Sequence, residues 1–406
     1  MSSWISIGKK ILKPLIPSTV RREFRRIQKE KVTEKIVRIR QIPCTDKRTW
    51  GVNIIGDLNG SSGLAEASRG NMQCLEKMHV PLYPVALDED SLRTFNSEYG
   101  ITLIHTNPDQ LDNVCRFLPE IHWKNRYVIG EWVWEQEDLP DWWKPYLRFF
   151  DEIWTPSEFA AAAIKKSTDV PVRVVPHIIN PICDEEWDRN RFGVPEDLFL
   201  CLLTFDYYSV MERKNPEGAI RAFKQAFNDC KEQVGLIIKT RNTSREALQW
   251  LNSMLDGWPN IYIFNQEYTH EQANSLMKAA DVYLSLHRAE GFGLVLAEAM
   301  KIGTPVIATA WSGNMEFMNS EVACMVPATL TTLKYDYPPF VKGSRWAEPD
   351  ISIAAEYLRR LYDEPQYRKC IADKAQKYIA DKLSIKTIAG DMKDRLNEIA
   401  YEHHWI

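Results

Sequence analysis

The chain has 406 residues, 45% of them hydrophobic and 26% charged, and its formal net charge is −4. This length favours two domains over one core, and the small negative charge argues against a protein dedicated to binding nucleic acid. The charge is uneven, because residues 1–49 carry 14 basic and four acidic side chains while the remainder is acidic. The basic start predicts an anionic partner, most simply a membrane surface.

Residues 1–49 are interpreted as a basic amphipathic N-terminal extension. Apolar side chains recur at helical spacing among lysines over residues 4–16, and a second basic stretch covers residues 20–40. This pattern predicts an interfacial helix that docks on anionic lipid. It suits equally well an arm packed on its own protein or on a partner subunit.

The cysteines and the apolar segments indicate the cellular compartment of the protein. The eight cysteines are scattered, with neither a CxxC spacing nor clustering with histidine, so we expect buried, reduced thiols and no metal site. No segment reaches the ~20 apolar residues that span a bilayer, and the start lacks the features of a signal peptide. These observations predict a cytoplasmic protein, with peripheral contact on the inner face of the plasma membrane through residues 1–40.

From residue 50, short apolar strands alternate with helices. The predicted strands cover residues 50–56, 101–105, 126–130, 152–155 and 172–175, and predicted helices cover residues 63–78 and 156–166. This alternation is typical of a parallel sheet covered on both faces. We assign residues 50–183 to a first Rossmann-like domain.

After a segment rich in Pro, Asn, Asp and Gly at residues 177–195, the alternation restarts. The predicted strands are residues 198–203, 234–238, 261–264, 282–286 and 305–308, and the helices are residues 217–227, 244–255, 270–279, 294–301, 351–364 and 366–402. The fold class is therefore α/β, with two tandem doubly wound domains. The second covers residues 184–380, and residues 381–406 form a closing helix. Ligands of such sheets bind at the carboxyl ends of the strands, which places the site in the cleft between the domains.

The most informative segment is residues 287–300. A predicted strand leads into a glycine-bracketed turn and a helix start, which presents backbone N–H groups and the positive end of a helix dipole to an anion. Glu290 and Glu298 flank this turn, and carboxylates beside an anion site indicate a ligand with hydroxyl groups. The segment predicts a nucleotide or nucleotide-sugar site, whose loop residues are Gly291, Phe292, Gly293 and Leu294.

Cations and a polar turn accompany this segment. Arg213 and Lys214 stand between a strand and a helix start, where they suit a diphosphate, although a solvated basic pair is the alternative. Lys239 ends a strand, so it is a candidate phosphate contact or an exposed lysine. Gly313 and Asn314 lie in a polar turn at the same sheet edge and are candidates for the donor pocket.

The first domain offers weaker signals for ligand binding. Its glycine-rich turn at residues 56–63 matches neither GxGxxG nor a Walker loop, and an ordinary βα turn explains it as well. Aromatic and acidic residues after the strand at residues 126–130 suit a sugar, but for the tryptophans a buried aromatic core is favoured. A histidine at a strand end suits proton transfer, yet more commonly bonds to neighbouring backbone. The acceptor-side candidates are Gly60, Ser61, Ser62, Gly63, His105, Glu131, Trp134 and Glu135.

These motifs resemble a known family. Residues 287–299, His-x-x-Glu-Gly-Phe-Gly-x-x-x-x-Glu-Ala, resemble the E-x7-E signature of GT-B fold glycosyltransferases, specifically the GT4-like group 1 family of retaining enzymes. Further elements similar to that family's nucleotide-sugar domain are Arg-Lys-Asn-Pro at 213–216, Trp-Ser-Gly-Asn at 311–314 and Ala-Glu-Pro-Asp at 347–350. Motifs within residues 132–177 resemble a bacterial polysaccharide subgroup. The resemblance covers about residues 50–380.

The resemblance implies roles for individual residues. Glu290 would bind hydroxyls of the donor sugar, Glu298 the ribose, and the Gly291–Gly293 backbone the diphosphate, while Lys214 matches the family's phosphate-binding lysine. Many members have an arginine just after the first strand of the second domain, and here Asp206 and Tyr207 occupy that place, so Arg213 or Lys239 substitutes. Many members also carry a histidine after a first-domain strand, a region that holds Glu131 and Glu135 here.

The implied function is transfer of a hexose from a nucleotide-sugar to a hydroxyl of a glycan or lipid-linked glycan, with retention, in cell-surface polysaccharide biosynthesis. A GDP- or UDP-hexose would be the substrate, and neither metal nor cofactor is expected. Glu290, Arg213 and Lys214 are the catalytic candidates, because charge builds on the departing phosphates. The alternatives are a sugar-nucleotide epimerase on the same fold and a non-catalytic nucleotide-sugar-binding partner in a glycan-assembly complex.

Overall fold

The computed structural model of the protein describes residues 18–60, 62–207 and 209–406. The predicted helix at residues 4–16 lies outside these ranges. The described chain forms two six-stranded parallel sheets with helices on their faces, which confirms the predicted pair of doubly wound α/β domains.

The first sheet consists of short strands that are largely buried and rich in isoleucine and valine. Its strands are β1 (Thr49–Gly56), β2 (Leu82–Ala86), β3 (Tyr99–His105), β4 (Tyr127–Glu131), β5 (Glu152–Thr155) and β6 (Val172–Val174). Their order is β2-β1-β3-β4-β5-β6, with all neighbours parallel. Gly56 pairs with His105 and His105 with Glu131, so these strand ends meet at one edge. The helices of this part are α1 (Ser18–Gln41), α2 (Gly63–Lys77), α3 (Glu89–Thr94), α4 (Leu111–Phe117) and α5 (Glu158–Lys165).

Helix α1 packs along one face on the first domain. Ile36 and Ile39 are buried in its hydrophobic core. Lys29 is also buried, and its Nζ donates to Asp112 Oδ2 at 3.0 Å and to the Tyr146 hydroxyl at 3.1 Å. This part of the extension therefore packs on its own protein, as one of the two sequence interpretations expects.

The second sheet repeats the pattern. Its strands are β7 (Phe199–Asp206), β8 (Val234–Arg241), β9 (Ile261–Phe264), β10 (Val282–Ser285), β11 (Val306–Thr309) and β12 (Cys324–Val326), and an antiparallel hairpin follows with β13 (Ala328–Thr332) and β14 (Arg345–Pro349). The sheet order is β12-β11-β10-β7-β8-β9. The remaining helices are α6 (Arg189–Phe192), α7 (Met211–Lys214), α8 (Pro216–Phe227), α9 (Arg245–Met254), α10 (His270–Ala279), α11 (Leu294–Ile302), α12 (Ile351–Asp363), α13 (Pro365–Lys382) and α14 (Ile385–Glu402).

The chain passes between the two hydrophobic cores twice. Ile178 belongs to a core of the first domain, and the next residue, Ile179, belongs to a core of the second. On the return, Leu383 is in the second-domain core and Ile388 in that of the first. The two crossings touch, because Ile179 N donates to Leu383 O at 3.3 Å. Helix α14 thus packs on the first sheet, where Arg395 Nη2 is 2.8 Å from Glu152 Oε2.

Some local predictions need correction. The closing helix at residues 366–402 is in fact two helices, because the Ser384 side chain accepts from Thr387 N and starts α14 anew. Strand β2 was not predicted, since Pro84 occupies its centre, which only an edge strand tolerates. The domain boundaries at residues 183 and 380 stay predictions.

The cysteines are all free. The expectation of buried thiols is confirmed for four of the eight, which are Cys74, Cys115, Cys201 and Cys324. It is wrong for Cys370, which is exposed on α13, and the remaining three are half-buried. Among the described residues, no helix is both long and apolar enough to cross a bilayer.

Candidate functional site

A cleft of about 480 Å³ lies between the carboxyl edges of the two sheets. Its second-domain wall includes Glu290 and the start of α11, and its first-domain wall includes Ser62, Glu66 and Glu135. The volume falls in the range of about 300–1,000 Å³ that small-molecule sites occupy. The cleft therefore lies where the two-domain pattern predicts a ligand.

The loop before α11 is the feature that the sequence predicts to bind an anion. Gly293 has φ +92°, a left-handed conformation that favours glycine, and α11 begins at Leu294 without a side-chain cap. Behind the loop, Gly313 N donates to Glu290 O at 2.8 Å, and a Cβ at Gly313 would lie 2.1 Å from Gly291 O. Close packing fixes the loop, whose uncapped helix start offers backbone N–H groups to the cleft.

Glu290 lies among cations at the centre of the cleft wall. It is 8% exposed, its Oε2 is 3.2 Å from Arg213 Nη1, and its Oε1 accepts a hydrogen bond from Lys214 Nζ. Burial alone would raise the pKa of this carboxyl, but Lys214 and Arg213 outweigh burial and lower the pKa to about 2. Glu290 is therefore a charged acceptor for hydroxyl groups at neutral pH.

The two cations differ in their exposure and in the number of hydrogen bonds they donate. Arg213 is 5% exposed, and its guanidinium also donates to Ala289 O at 2.8 Å and to Ser209 Oγ at 2.9 Å. Lys214 is the more open, with 23% of its side chain exposed. Both line the cleft. Lys214 is thus the cation better placed to meet a ligand, while Arg213 also braces the loop.

Glu298 lies one turn into α11 and faces a residue that the sequence analysis missed. Its Oε1 is 2.9 Å from His270 Nε2, and His270 Nδ1 is 3.3 Å from Glu66 Oε2 in the first domain. Hydrogen bonds to Glu298 and Glu66 raise the pKa of His270 to about 10, so the imidazole is charged at neutral pH. No spacing signal joins these residues, because they come from three separate helices.

Of the other donor-side candidates, Lys239 lines the cleft whereas Asn314 lies behind its wall. Lys239 lines the cleft, but its Nζ donates to Gln266 O at 2.9 Å and to Thr240 O at 3.1 Å, and burial lowers its pKa. Asn314 is fully buried behind the loop, with Oδ1 3.1 Å from His287 Nε2. The structure thus places Asn314, like Gly313, as support for the Glu290 loop.

A buried polar cluster lies beneath the first-domain wall. Glu131 is fully buried, its Oε1 is 3.0 Å from His105 Nε2, and both of its oxygens accept from Asn71 Nδ2 at 3.1 Å. His177, which the sequence analysis did not select as a site residue, lines the cleft and packs edge-on against Phe292 at 4.9 Å. Burial lowers the pKa of His177 to about 4, so its ring is neutral at pH 7.

Trp134 and Glu135 are neighbours with opposite placements. Trp134 is 1% exposed, donates from Nε1 to Asp138 O at 2.9 Å and packs against Trp143. It belongs to the aromatic core, as favoured from the sequence. Glu135 lines the cleft and, within the described residues, makes no hydrogen bond. Burial raises the pKa of its carboxyl, which Arg213 partly opposes.

The glycine-rich turn borders a second cavity of about 450 Å³. Gly60 N donates to Asp57 Oδ1 at 2.8 Å, and the Ser62 side chain caps α2 by accepting from Ala65 N. Ser61 lies outside the described residues. Ser62 and Leu64 line both cavities, so this space opens beside the cleft. Gly63 faces the donor domain, since its Cβ would lie 3.9 Å from the side chain of the first residue of α11.

Direct contacts hold the two walls together. Ser157 Oγ donates to Gly291 O at 2.7 Å, and the Gly291 Cα packs so closely on Val133 that a Cβ would lie 2.3 Å from its side chain. Arg345 also forms a bidentate ion pair with Glu137, in which Nη2 is 2.8 Å from Oε1 and Nε is 2.9 Å from Oε2. The first domain thus contacts the anion-binding loop itself.

Comparison with known proteins agrees with this geometry. Residues 205–334 match the family described as Glycosyl transferases group 1. An uncharacterized glycosyltransferase of Methanocaldococcus jannaschii, MJ1607, is 26% identical over 207 residues, 50% of this chain and 46% of that protein. The chain thus matches about half the length of this curated relative.

Solved structures share the fold over most of the chain. Anabaena HepE, solved in complex with UDP and glucose, has a TM-score of 0.60 at 16% identity, covering 86% of this chain and 100% of that one. Sucrose-phosphate synthase from Thermosynechococcus elongatus has a TM-score of 0.65 at 15% identity, with coverages of 87% and 100%. Residues 205–334 of the second domain therefore form a group 1 glycosyltransferase domain, and the chain has the GT-B fold.

Proposed function

We propose that the protein transfers a hexose from a nucleotide-sugar to a hydroxyl of a glycan or lipid-linked glycan, with retention at the anomeric carbon. The observation that carries the proposal is the group formed by Glu290, Lys214 and Arg213 beside the uncapped start of α11. It combines a charged hydroxyl acceptor with fixed positive charge in one partly dehydrated cleft.

The donor half of the reaction follows from these charges. When the bond from the sugar to the diphosphate breaks, negative charge grows on the leaving phosphate oxygens. Lys214 and the N–H groups at the start of α11 are in place before the reaction, so they stabilise this charge without rearranging. Glu290 accepts hydrogen bonds from the sugar hydroxyls and Glu298 from the ribose, which sets the anomeric carbon in the cleft.

The acceptor enters from the first-domain side in this proposal. The cavity beside the glycine-rich turn joins the cleft at Ser62 and Leu64, which gives a sugar-sized space next to the donor. Glu135 lines the first-domain side of the cleft and is a carboxyl without a hydrogen-bond partner among the described residues. It would orient the attacking hydroxyl toward the face that the diphosphate leaves. The hydroxyl oxygen then bonds to the anomeric carbon as the bond to the diphosphate breaks, its proton passes to the leaving phosphate oxygen, and this approach gives retention.

A uridine or guanosine diphosphate hexose is the proposed donor, and no metal is required. Solved structures of the similar HepE contain UDP with glucose and UDP-glucose. In this chain Lys214, Arg213 and the helix dipole supply the positive charge that a metal would otherwise give a diphosphate.

Contact with the inner face of the plasma membrane is supported by the outward face of α1. Val20, Phe24 and Ile27 lie on one helical face and are 54%, 61% and 40% exposed, and exposed Lys31 and Arg38 continue that face. A lipid-linked acceptor in cell-surface polysaccharide biosynthesis fits such an attachment. Vesicles containing phosphatidylglycerol should bind the wild type and bind Phe24→Ser less; equal binding of both proteins would refute this contact.

The test of the function is thermal stabilisation by a panel of UDP- and GDP-hexoses, followed by product analysis. A donor at a hundredfold excess over its Kd should stabilise the fold by about 2.7 kcal/mol. Glu290→Gln, which keeps the shape and removes the charge, should lose this stabilisation. No shift with any donor would refute the proposal, and isomerisation of the donor without an acceptor would instead favour an epimerase.

A further inference from the structure

His270 contacts carboxylates of both domains at the mouth of the cleft. Its Nε2 is 2.9 Å from Glu298 Oε1 on α11, and its Nδ1 is 3.3 Å from Glu66 Oε2 on α2. Both ring nitrogens are therefore engaged, and the Thr269 capping box fixes the backbone from which the ring projects. A cationic imidazole between two carboxylates holds them at a set separation.

The hydrogen bonds continue into the first domain. Glu66 Oε1 pairs with Arg69 Nη2, and Arg69 Nη1 donates to Leu58 O at 3.1 Å and to Gly60 O at 2.7 Å. These carbonyls belong to the glycine-rich turn that lines the cavity of about 450 Å³. An unbroken series of charged hydrogen bonds thus runs from Glu298 to that turn.

We propose that His270 is a positioning residue that ties donor recognition at Glu298 to the conformation of the turn at residues 57–60, beside the acceptor space. The inference rests on the proposed function, in which Glu298 binds the donor ribose. A ribose on Glu298 removes water from its bond to His270, and hydrogen bonds strengthen in a drier site. The stronger bond restrains His270, and through Glu66 and Arg69 it restrains the turn as well. Donor binding therefore fixes the conformation of the turn beside the acceptor space.

A contact that only joins the two domains should not affect how the turn responds to UDP. The ion pair of Arg345 with Glu137 also joins the two domains, but it does not line the cleft. Arg345→Ala therefore serves as the matched control, since it removes an interdomain contact of similar kind without touching the series through His270.

The experiment measures hydrogen exchange of a peptide covering residues 56–64, with and without UDP, in the full-length protein. In the wild type and in Arg345→Ala, UDP should slow exchange of this peptide. In His270→Ala, the protection should disappear and UDP should bind roughly tenfold more weakly, the loss expected for one charge-assisted bond. His270→Arg, which can donate to both carboxylates, should restore the protection.

The outcomes separate this inference from the proposed function. If UDP protects the peptide equally in wild type and His270→Ala, the link is refuted while the transferase function stands. The same holds if UDP binds the wild type without protecting the turn. If neither UDP nor GDP binds the wild type, the proposed function fails and the inference with it. If His270→Ala does not fold, Glu66→Gln takes its place. This variant removes the charge of the residue that follows His270 in the series, and it must abolish the protection of the peptide by UDP.

Discussion

The two walls of the cleft are built differently. On the second-domain wall, Glu290 is paired with Lys214 and Arg213, and Gly313 packs against the loop from behind. On the first-domain wall, Glu135 makes no hydrogen bond among the described residues, and an open cavity lies next to the glycine-rich turn. The difference teaches that the proposed donor wall is organised by its own contacts, whereas the proposed acceptor wall leaves polar groups for a substrate to complete.

The largest effect is expected when Lys214, the more exposed of the two cations on the second-domain wall, is replaced. Lys214→Ala removes the positive charge nearest the ligand space, so kcat for release of nucleoside diphosphate should fall about 100- to 1,000-fold. Lys369→Ala is the control, because this lysine pairs with Asp373 on an exposed helix face. Activity of Lys214→Ala within threefold of the wild type would contradict a role in catalysis.

The next effect tests the packing behind the loop. A Cβ at Gly313 would lie 2.1 Å from Gly291 O, so Gly313→Ala must shift the loop. We expect a loss of about 1–3 kcal/mol in the free energy of unfolding, together with weaker UDP binding. Denaturant unfolding measures the first quantity and calorimetry the second. Gly390→Ala on α14, where a Cβ meets open space, should not destabilise the protein.

A smaller effect is expected on the acceptor wall. Glu135→Gln should slow transfer to the acceptor about tenfold, the value of one hydrogen bond to a charged group, and leave UDP affinity unchanged. The paired measurement is the transfer rate against the Kd of UDP, with Asp138→Asn at an exposed position as control. A parallel loss of UDP affinity would assign Glu135 to the donor wall and remove the contrast between the two.

The smallest effect concerns the histidine that joins the walls. Glu298 and Glu66 raise the pKa of His270 from 6.5 to about 10. A raised pKa means that its contribution to stability is complete below pH 6.5 and is lost as the pH rises through about 10. Because the side chain is partly exposed, the contribution at neutral pH should be about 1 kcal/mol or less. The difference in Tm between wild type and His270→Gln should shrink from pH 6 to pH 10, and a constant difference would argue against this ion pair.

Much of this architecture was predictable because the information is local. Apolar runs such as residues 234–238 and the glycine-bracketed turn after residue 287 identify their own strands and helix start. Strand β2 was hidden by Pro84, and the division between α13 and α14 depends on a serine cap within an otherwise continuous helical pattern. These features needed the tertiary setting to be recognised.

The site was predictable only on the wall that carries a motif. The placement of Glu290, Glu298 and Lys214 in the cleft follows from the second-domain motifs, and their roles stay predictions. His270, Glu66 and His177 also line the cleft but carry no spacing signal. Their place in the cleft comes from tertiary contacts between segments that are distant in the chain. Such contacts leave no periodic pattern in a single sequence. For the same reason the sequence offered both Trp134 and Glu135 as acceptor-side candidates, although Trp134 lies in the core and Glu135 faces the cleft.

The paired crossings of the chain have a mechanical consequence. A domain attached by one flexible segment can rotate in every direction. Here the second domain is attached by two segments that lie side by side, and Ile179 N donates a hydrogen bond to Leu383 O between them. Such an attachment resists twisting and allows bending mainly about one axis. We expect any change in the width of the cleft to be a bend about the paired crossings, and to require release of the contact between Ser157 Oγ and Gly291 O.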